Sequence, residues 1–112
     1  MGVRIALALI VCGICSTSAA LAQQSTAAGL SDCEKLAAVK FRQENSAFKK
    51  FAIDRADAEE DKFSEKVGTQ FVSTVYHGKA TYQAAGEAAS VRFICLHGGV
   101  DKGAVFVYVL PR

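Results

Sequence analysis

The sequence predicts an α+β domain in which one or two N-terminal helices pack on a three- to four-stranded antiparallel β-meander with a single disulfide. Three observations predict this fold. Apolar residues recur at helical spacing in the first half of the chain, β-branched and aromatic residues dominate the second half, and each half keeps one cysteine after export. With 112 residues, 51% of them hydrophobic, the chain has room for one small domain and is too apolar to be disordered.

The N-terminus has the three parts of a secretory signal peptide. Arg4 supplies the positive charge, an apolar stretch follows, and the small side chains of Ala20 and Ala22 fit a signal peptidase site. An apolar stretch of about 11 residues rises only about 16 Å as a helix, well short of the roughly 30 Å hydrocarbon core. We therefore predict cleavage of residues 1–22 and no membrane span afterwards. The short signal peptide and the small domain with one disulfide favour the bacterial periplasm, with secretion as the alternative, and no N-glycosylation sequon argues for a eukaryotic secretory route.

The charge of the mature chain argues against nucleic-acid binding. Loss of Arg4 lowers the formal net charge from +2 to about +1, which provides no basic field for phosphates. The aromatic residues also lack the interleaved Arg and Lys that a single-strand groove requires. We expect no nucleic-acid partner.

Two cysteines remain in the mature chain, because Cys12 and Cys15 leave with the signal peptide. Cys33 and Cys95, 62 positions apart, are predicted to form a disulfide in an oxidising compartment. Closing a loop of about 60 residues stabilises a small domain by roughly 4 kcal/mol. The alternative is a pair of free thiols for metal or redox chemistry, to which His97 would add only one ligand.

The domain is predicted over residues 30–112, after a short flexible tail at 23–29. Ser31 and Glu34 fit a capping box, and the spacing of the apolar residues behind it predicts a helix over residues 32–44. Cys33 falls on the apolar side of that helix, so the disulfide would attach the helix to the surface that carries Cys95.

A second helix is predicted over the charged segment 46–66. Five apolar residues keep an approximate helical spacing there: Phe48, Phe51, Ala52, Ala56 and Phe63. On such a helix one stripe would be acidic, formed by Asp54, Asp57, Asp61 and Glu65. This stripe is either a solvated face or a weak cation surface, and the first is favoured because the glycine and ligand order of a calcium loop are missing.

The second half of the chain predicts strands, at residues 69–76, 79–82, 91–96 and 104–110. Gly78 indicates either one long bent strand with a bulge or a tight hairpin, and the bent strand is favoured. The short connections at 84–90 and 97–103 contain glycine and predict antiparallel neighbours. Alternation in the third strand predicts a buried face formed by Val91, Phe93 and Cys95.

The last strand is apolar on both faces, which is unusual for a sheet with one side in water. One account is that the charged segment folds over the second face. The other is that Phe106 and Tyr108 belong to a partner surface, since exposed contiguous apolar patches mark interaction sites. Pro111 fits the end of an edge strand, where a partner could also add a strand of its own.

No catalytic motif is present: the chain has no G-x-S-x-G elbow, no phosphate-binding G-x-x-x-x-G-K-[ST] and no H-E-x-x-H. His77 and His97 could act together if their strands were neighbours, yet each lies at a strand end beside glycine, where a solvated histidine is expected. The sequence therefore predicts no catalytic residue, no cofactor and no metal site.

These observations favour a non-enzymatic binding or interaction module of the bacterial periplasm or cell envelope. Its partner would be another envelope protein, bound through a sheet edge or through the apolar face of Phe106 and Tyr108. The alternative is an inhibitor that inserts the 97–103 loop, with His97, Asp101 and Lys102, into a foreign enzyme's cleft. A metal or redox accessory protein is less favoured.

Overall fold

The computed structural model describes residues 17–111, with side chains from Thr26 to Leu110. Most of the predicted signal peptide lies outside the described residues. The elements are α1 (Thr17–Glu44), β1 (Phe48–Ile53), β2 (Glu59–Val67), β3 (Gln70–Ala84), β4 (Glu87–His97) and β5 (Ala104–Pro111). The five strands form one antiparallel sheet in the order β1-β3-β4-β5, with β2 also paired to β3. The predicted α+β class and the meander are confirmed.

Helix α1 begins well before the predicted start at residue 32, and it includes residues 23–29, which the sequence predicted as a flexible tail. Ser31 and Glu34 therefore lie inside the helix and do not cap it. The Arg55 guanidinium donates to the Ser31 hydroxyl at 3.3 Å and pairs with the Glu34 carboxylate. Glu34 also accepts the backbone N–H of Ile53 at 3.0 Å. These polar side chains attach α1 to the first strand instead of starting the helix.

The predicted second helix over 46–66 is wrong, because this segment forms β1 and β2. The pairing of β1 with β3 shifts between Phe48 and Lys50, which is a β-bulge. One extra residue lets Phe48 and Phe51 both be buried although they are three positions apart. The bulge therefore imitates helical spacing. All nine residues of β2 are exposed, so its acidic residues lie on a solvated strand and form no helical stripe.

Strands β1 and β2 lie one after the other along the same edge of β3. The chain between them passes close to Gly78 of β3, where an added Cβ would lie 3.0 Å from the Cα of Ala58. Gly78 has a φ of +153°, a conformation that favours glycine. The single long strand is confirmed, and β3 pairs with β4 without interruption past Gly78, so the irregularity predicted there lies in the neighbouring edge instead.

The core lies between α1 and one face of the sheet, which we call the inner face. Phe93 and Cys95 are buried there together with Val91, as the alternation predicted. The predicted disulfide between Cys33 and Cys95 is confirmed, with the two Cα atoms 6.0 Å apart. Both cysteines are fully buried, so the staple joins the helix to the centre of the sheet.

Candidate functional site

The opposite, outer face of the sheet carries a row of exposed apolar side chains on β4 and β5. The strand register places Ile94 beside Tyr108, Leu96 beside Phe106, and Leu110 beside Arg92. We call the five apolar residues of this row the outer patch: Ile94, Leu96, Phe106, Tyr108 and Leu110. Four of them, Ile94, Phe106, Tyr108 and Leu110, expose between 37% and 48% of their surface. The rings of Phe106 and Tyr108 stack with their centroids 6.4 Å apart and an angle of 9° between their planes.

One of the two accounts of this apolar face is wrong. The charged segment does not fold over it, because β2 extends the sheet beside β3. A shallow groove of about 260 Å³ opens next to Leu96 and Phe106, with Val72 buried in its floor. A second groove of about 220 Å³ lies beside Ile94 and Leu110. The outer patch is therefore an uneven apolar surface that could receive side chains of a partner.

The free edge of β5 is covered at its centre by a lysine from α1. The Lys40 ammonium donates to the carbonyl of Val107 at 2.9 Å and lies 5.3 Å from the centre of the Phe106 ring. An edge carbonyl that is already hydrogen-bonded to a charged side chain is a poor template for another strand. Of the two predicted routes to a partner, the face is therefore more accessible than the edge.

The 97–103 loop is closed by its own backbone. The N–H of Gly98 donates to the carbonyl of Gly103 at 2.8 Å, and the N–H of Gly103 donates back to Gly99 at 2.9 Å. Val100 is 97% exposed at the tip, and Asp101 and Lys102 are exposed beside it. Two of the three loop residues predicted for interaction thus lie on an accessible turn.

His97 does not belong to that exposed surface, and the expectation of a solvated side chain is wrong. It is the last residue of β4, points to the inner face and is only 6% exposed. Its Nε2 lies 2.9 Å from Oδ2 of Asp32, and its Nδ1 accepts the N–H of Gly99 at 3.1 Å. Since Nδ1 accepts, the ring proton is assigned to Nε2, which donates to the carboxylate.

The pairing of Asp32 with His97 was missed at the level of sequence, although a signal for it exists. Asp32 precedes Cys33 by one position and His97 follows Cys95 by two. A predicted disulfide brings the neighbours of both cysteines together, so a contact between this carboxylate and this imidazole could have been expected there.

Both ring nitrogens of His97 are engaged, which limits what the group can do chemically. The Ser73 hydroxyl donates to the backbone carbonyl of His97 at 3.1 Å. His77 lies on the outer face, with its Nε2 2.8 Å from Oδ2 of Asp61. The two histidines therefore lie on neighbouring strands but on opposite faces. Across residues 26–110, no cluster of three His, Cys, Asp or Glu side chains could hold a metal ion.

A pocket of about 510 Å³ opens beside His97, between α1, β3 and the 97–103 loop. Tyr76 lies in its wall and is only 3% exposed. Its hydroxyl rests against Gly29 of the helix, where an added Cβ would lie 2.1 Å away. Burial raises the pKa of the Tyr76 hydroxyl, and the carboxylates of Glu60 and Asp32 raise it further. The polar residues that line the pocket are Asp32, Glu60, Ser73, Thr74, Tyr76 and His97.

Comparison of the chain with protein-family models, with curated proteins and with solved structures gives no match. The architecture defines the class: one helix stapled by a disulfide to a five-stranded antiparallel sheet. Within the part of the chain that the structure describes, no helix combines the length and the apolar character needed to cross a membrane.

Proposed function

We propose that this protein is a non-enzymatic binding module of the bacterial periplasm or cell envelope that buries its outer patch against a protein partner. The observation that carries the proposal is the contiguous row of exposed apolar side chains on β4 and β5. Soluble proteins rarely leave such a patch in water, and larger patches of this kind mark interaction sites.

The composition of the outer patch favours a protein as the partner. Stacked Phe106 and Tyr108 present rigid rings, and aromatic residues are enriched where interfaces concentrate their binding energy. Lys40 covers the adjacent edge, so the partner would dock on the face and would not extend the sheet.

Two further features support the cellular setting and the absence of catalysis in this proposal. The N-terminal sequence has the layout of an export signal, and a buried disulfide suits an oxidising compartment. His97 has both ring nitrogens engaged, which leaves it unsuited to act as a general base.

The test places a photo-crosslinking amino acid at Tyr108 and, separately, at Val39, and expresses both in the protein's own host. Val39 is a matched control, because it is an apolar residue of α1 with 53% exposure outside the outer patch. We expect one envelope protein to be cross-linked from Tyr108 and not from Val39.

The affinity of that purified partner is then measured with Phe106→Ala and Tyr108→Glu. Loss of an aromatic anchor weakens binding by about 10- to 100-fold, whereas Val39→Glu leaves it unchanged. Circular dichroism checks that the variants fold. Identical cross-links from both positions, or unchanged affinity in both patch variants, would reject the proposal.

The second candidate function is inhibition of an envelope hydrolase or protease by the 97–103 loop. It rests on Val100, whose side chain is 97% exposed at the tip of a hydrogen-bonded turn. The discriminating variant is Val100→Gly combined with Asp101→Ala and Lys102→Ala. His97 is left intact in this test because its replacement would remove its hydrogen bond with Asp32. Inhibition that survives the triple change would exclude the loop.

A further inference from the structure

The outer patch is bordered at one end by two basic side chains. Arg92 precedes Ile94 by two positions on β4, so it also points to the outer face. Lys79 follows His77 by two positions on β3 and points the same way. The strand register pairs Arg92 with Lys79 on one side and with Leu110 on the other. The two cations therefore lie side by side at the Leu110 end of the apolar row.

Neither of these cations has an acidic partner within the fold. Across residues 26–110, the Arg92 guanidinium and the Lys79 ammonium take part in no ion pair and no side-chain hydrogen bond. Glu59 and Asp61, which extend from the same side of β2, lie 3.6 and 2.8 Å from Nε2 of His77. The carboxylates of this face thus contact the imidazole and leave both cations unneutralised.

The pairing of Arg92 with Lys79 is unfavourable for the isolated sheet. The two residues are direct partners in the ladder between β3 and β4, and like charges at opposed positions destabilise a sheet. Arg92 is exposed and Lys79 is half-buried, so an anion from outside can reach both. A bound carboxylate would remove this repulsion.

A groove joins the cations to the apolar row. The groove of about 220 Å³ is lined by Arg92, Ile94 and Leu110, together with Val75 and His77. An acidic side chain paired with Arg92 and an apolar side chain next to it would therefore contact the same groove. The face offers charge and apolar surface to a single ligand.

We propose that the outer patch binds a segment of protein chain that carries an apolar run with an Asp or Glu at one end. The apolar side chains cover the patch, and the carboxylate pairs with Arg92 and Lys79. This inference rests on the proposed function and adds the chemistry of the partner to it. A guanidinium binds a carboxylate through two parallel hydrogen bonds, which fix the orientation of the segment where apolar contact alone does not.

Two other occupants fit this face less well. A second copy of the chain would bring the same two cations, and the carboxylates on its outer face, Glu59 and Asp61, already contact its own His77. An anionic membrane would attract Arg92 and Lys79 but would repel these exposed carboxylates. A segment with one acidic residue meets the cations and avoids the acidic side of the face.

The test selects binders from a phage-displayed library of random peptides on the immobilised, folded protein. Counter-selection on Tyr108→Glu keeps only peptides that need the outer patch. We expect the enriched peptides to share an apolar run with Asp or Glu at one end. Patch-dependent peptides without an acidic residue would overturn this inference and leave the proposed function standing. If no peptide depends on the patch, the inference also fails, and cross-linking from Tyr108 decides the proposed function separately.

A double-variant comparison then assigns the carboxylate to Arg92. Arg92→Gln should weaken binding of the strongest peptide about 3- to 10-fold, as should exchange of the peptide's acidic residue for its amide. The two changes together should weaken binding little more than either alone, because they remove one interaction. Arg42→Gln is the control, since Arg42 is exposed on α1. Additive losses, or equal losses in Arg92→Gln and Arg42→Gln, would reject the pairing.

The competing occupants are measured directly on the same protein. Light scattering over a range of concentrations detects a dimer, and sedimentation with phosphatidylglycerol vesicles detects membrane binding. We expect a monomer that stays in the supernatant. A dimer or a vesicle complex that Tyr108→Glu abolishes would overturn the inference.

Discussion

Both faces of the sheet carry apolar side chains along β4 and β5, but only the inner face is buried. Along β4, Phe93 and Cys95 are buried under α1, whereas Ile94 between them is 37% exposed on the outer face. The same holds on β5, where Val107 is buried and its neighbours Phe106 and Tyr108 are not. Hydrophobicity along a strand therefore does not decide which face becomes core. The position of the helix and its disulfide does.

The two histidines repeat the comparison with polar groups. His97 on the inner face is buried against Asp32, and His77 on the outer face pairs with exposed Asp61 across β2 and β3. Each imidazole meets a carboxylate, but only the inner one is removed from water. The inner face thus selects buried, hydrogen-bonded polar groups, and the outer face tolerates solvated ones.

The largest expected effect is the loss of stability when the disulfide that attaches α1 to the inner face is removed. Replacing Cys33 and Cys95 together by serine should lower the free energy of unfolding by about 4 kcal/mol, because the unfolded chain regains the entropy of a loop of 62 residues. Urea denaturation of the double variant measures the loss. Reduced wild-type protein is the control and should lose a similar amount. A loss below about 1 kcal/mol would mean that α1 is held by core contacts alone.

A smaller effect separates the two faces at adjacent positions of β4. Phe93→Ala should cost about 3 kcal/mol, because it leaves a cavity beneath α1 where Phe51 packs edge-on. Ile94→Ala, one residue away on the outer face, should cost less than about 1 kcal/mol. Both are compared by urea denaturation under the same conditions. Equal losses would show that the outer face is as well packed as the inner one.

The smallest expected effect is a loss of stability at alkaline pH that arises from Tyr76 on the inner face. Burial, followed by the carboxylates of Glu60 and Asp32, raises the pKa of Tyr76 above its ordinary value of 10.0. Above that pH the unfolded chain releases the tyrosine proton while the folded protein retains it, so stability falls as pH rises. The slope is at most about 1.4 kcal/mol per pH unit.

Denaturation at pH 9 to 11 measures this slope in the wild type and in two variants. Tyr76→Phe should flatten it, whereas Tyr108→Phe, which alters an exposed tyrosine of the outer patch, should keep it. A wild-type slope that persists in Tyr76→Phe would assign the alkaline loss to other groups.

Much of the fold follows from local patterns. The helical spacing around Cys33, the alternation from Val91 to Cys95, and the two glycine-bearing turns predict the helix, the buried face and the meander that the structure has. The disulfide follows from counting the two cysteines that the predicted loss of residues 1–22 would leave. These features depend on neighbours in sequence, or on a pairing with only one solution.

The failures lie where a local pattern has two physical origins. Phe48 and Phe51 are three positions apart because a bulge inserts a residue into β1, and a helix would produce the same spacing. The motif at Ser31 and Glu34 resembles a cap, yet both side chains reach Arg55 from within α1. In each case the deciding contact comes from a distant part of the chain.

The candidate site divides in the same way. Phe106 and Tyr108 could be selected from sequence. The last strand is apolar on both faces, so the face that does not join the core must either lie in water or be covered by a partner. The pocket of Asp32, Glu60 and Tyr76 could not, since its members come from α1, β2 and β3 and share no spacing. Only the neighbours of the disulfide, Asp32 and His97, carried a usable signal.

By itself the sequence determined the class of fold, the staple and which strands alternate, because these depend on residue period and on a cysteine count. Tertiary structure decided which apolar face is covered, which histidine is buried and where a polar pocket opens. The physical reason is that α1 can cover only one face of the sheet. The disulfide from Cys33 to Cys95 determines which face that is, and every group on that face must then find its partner out of water.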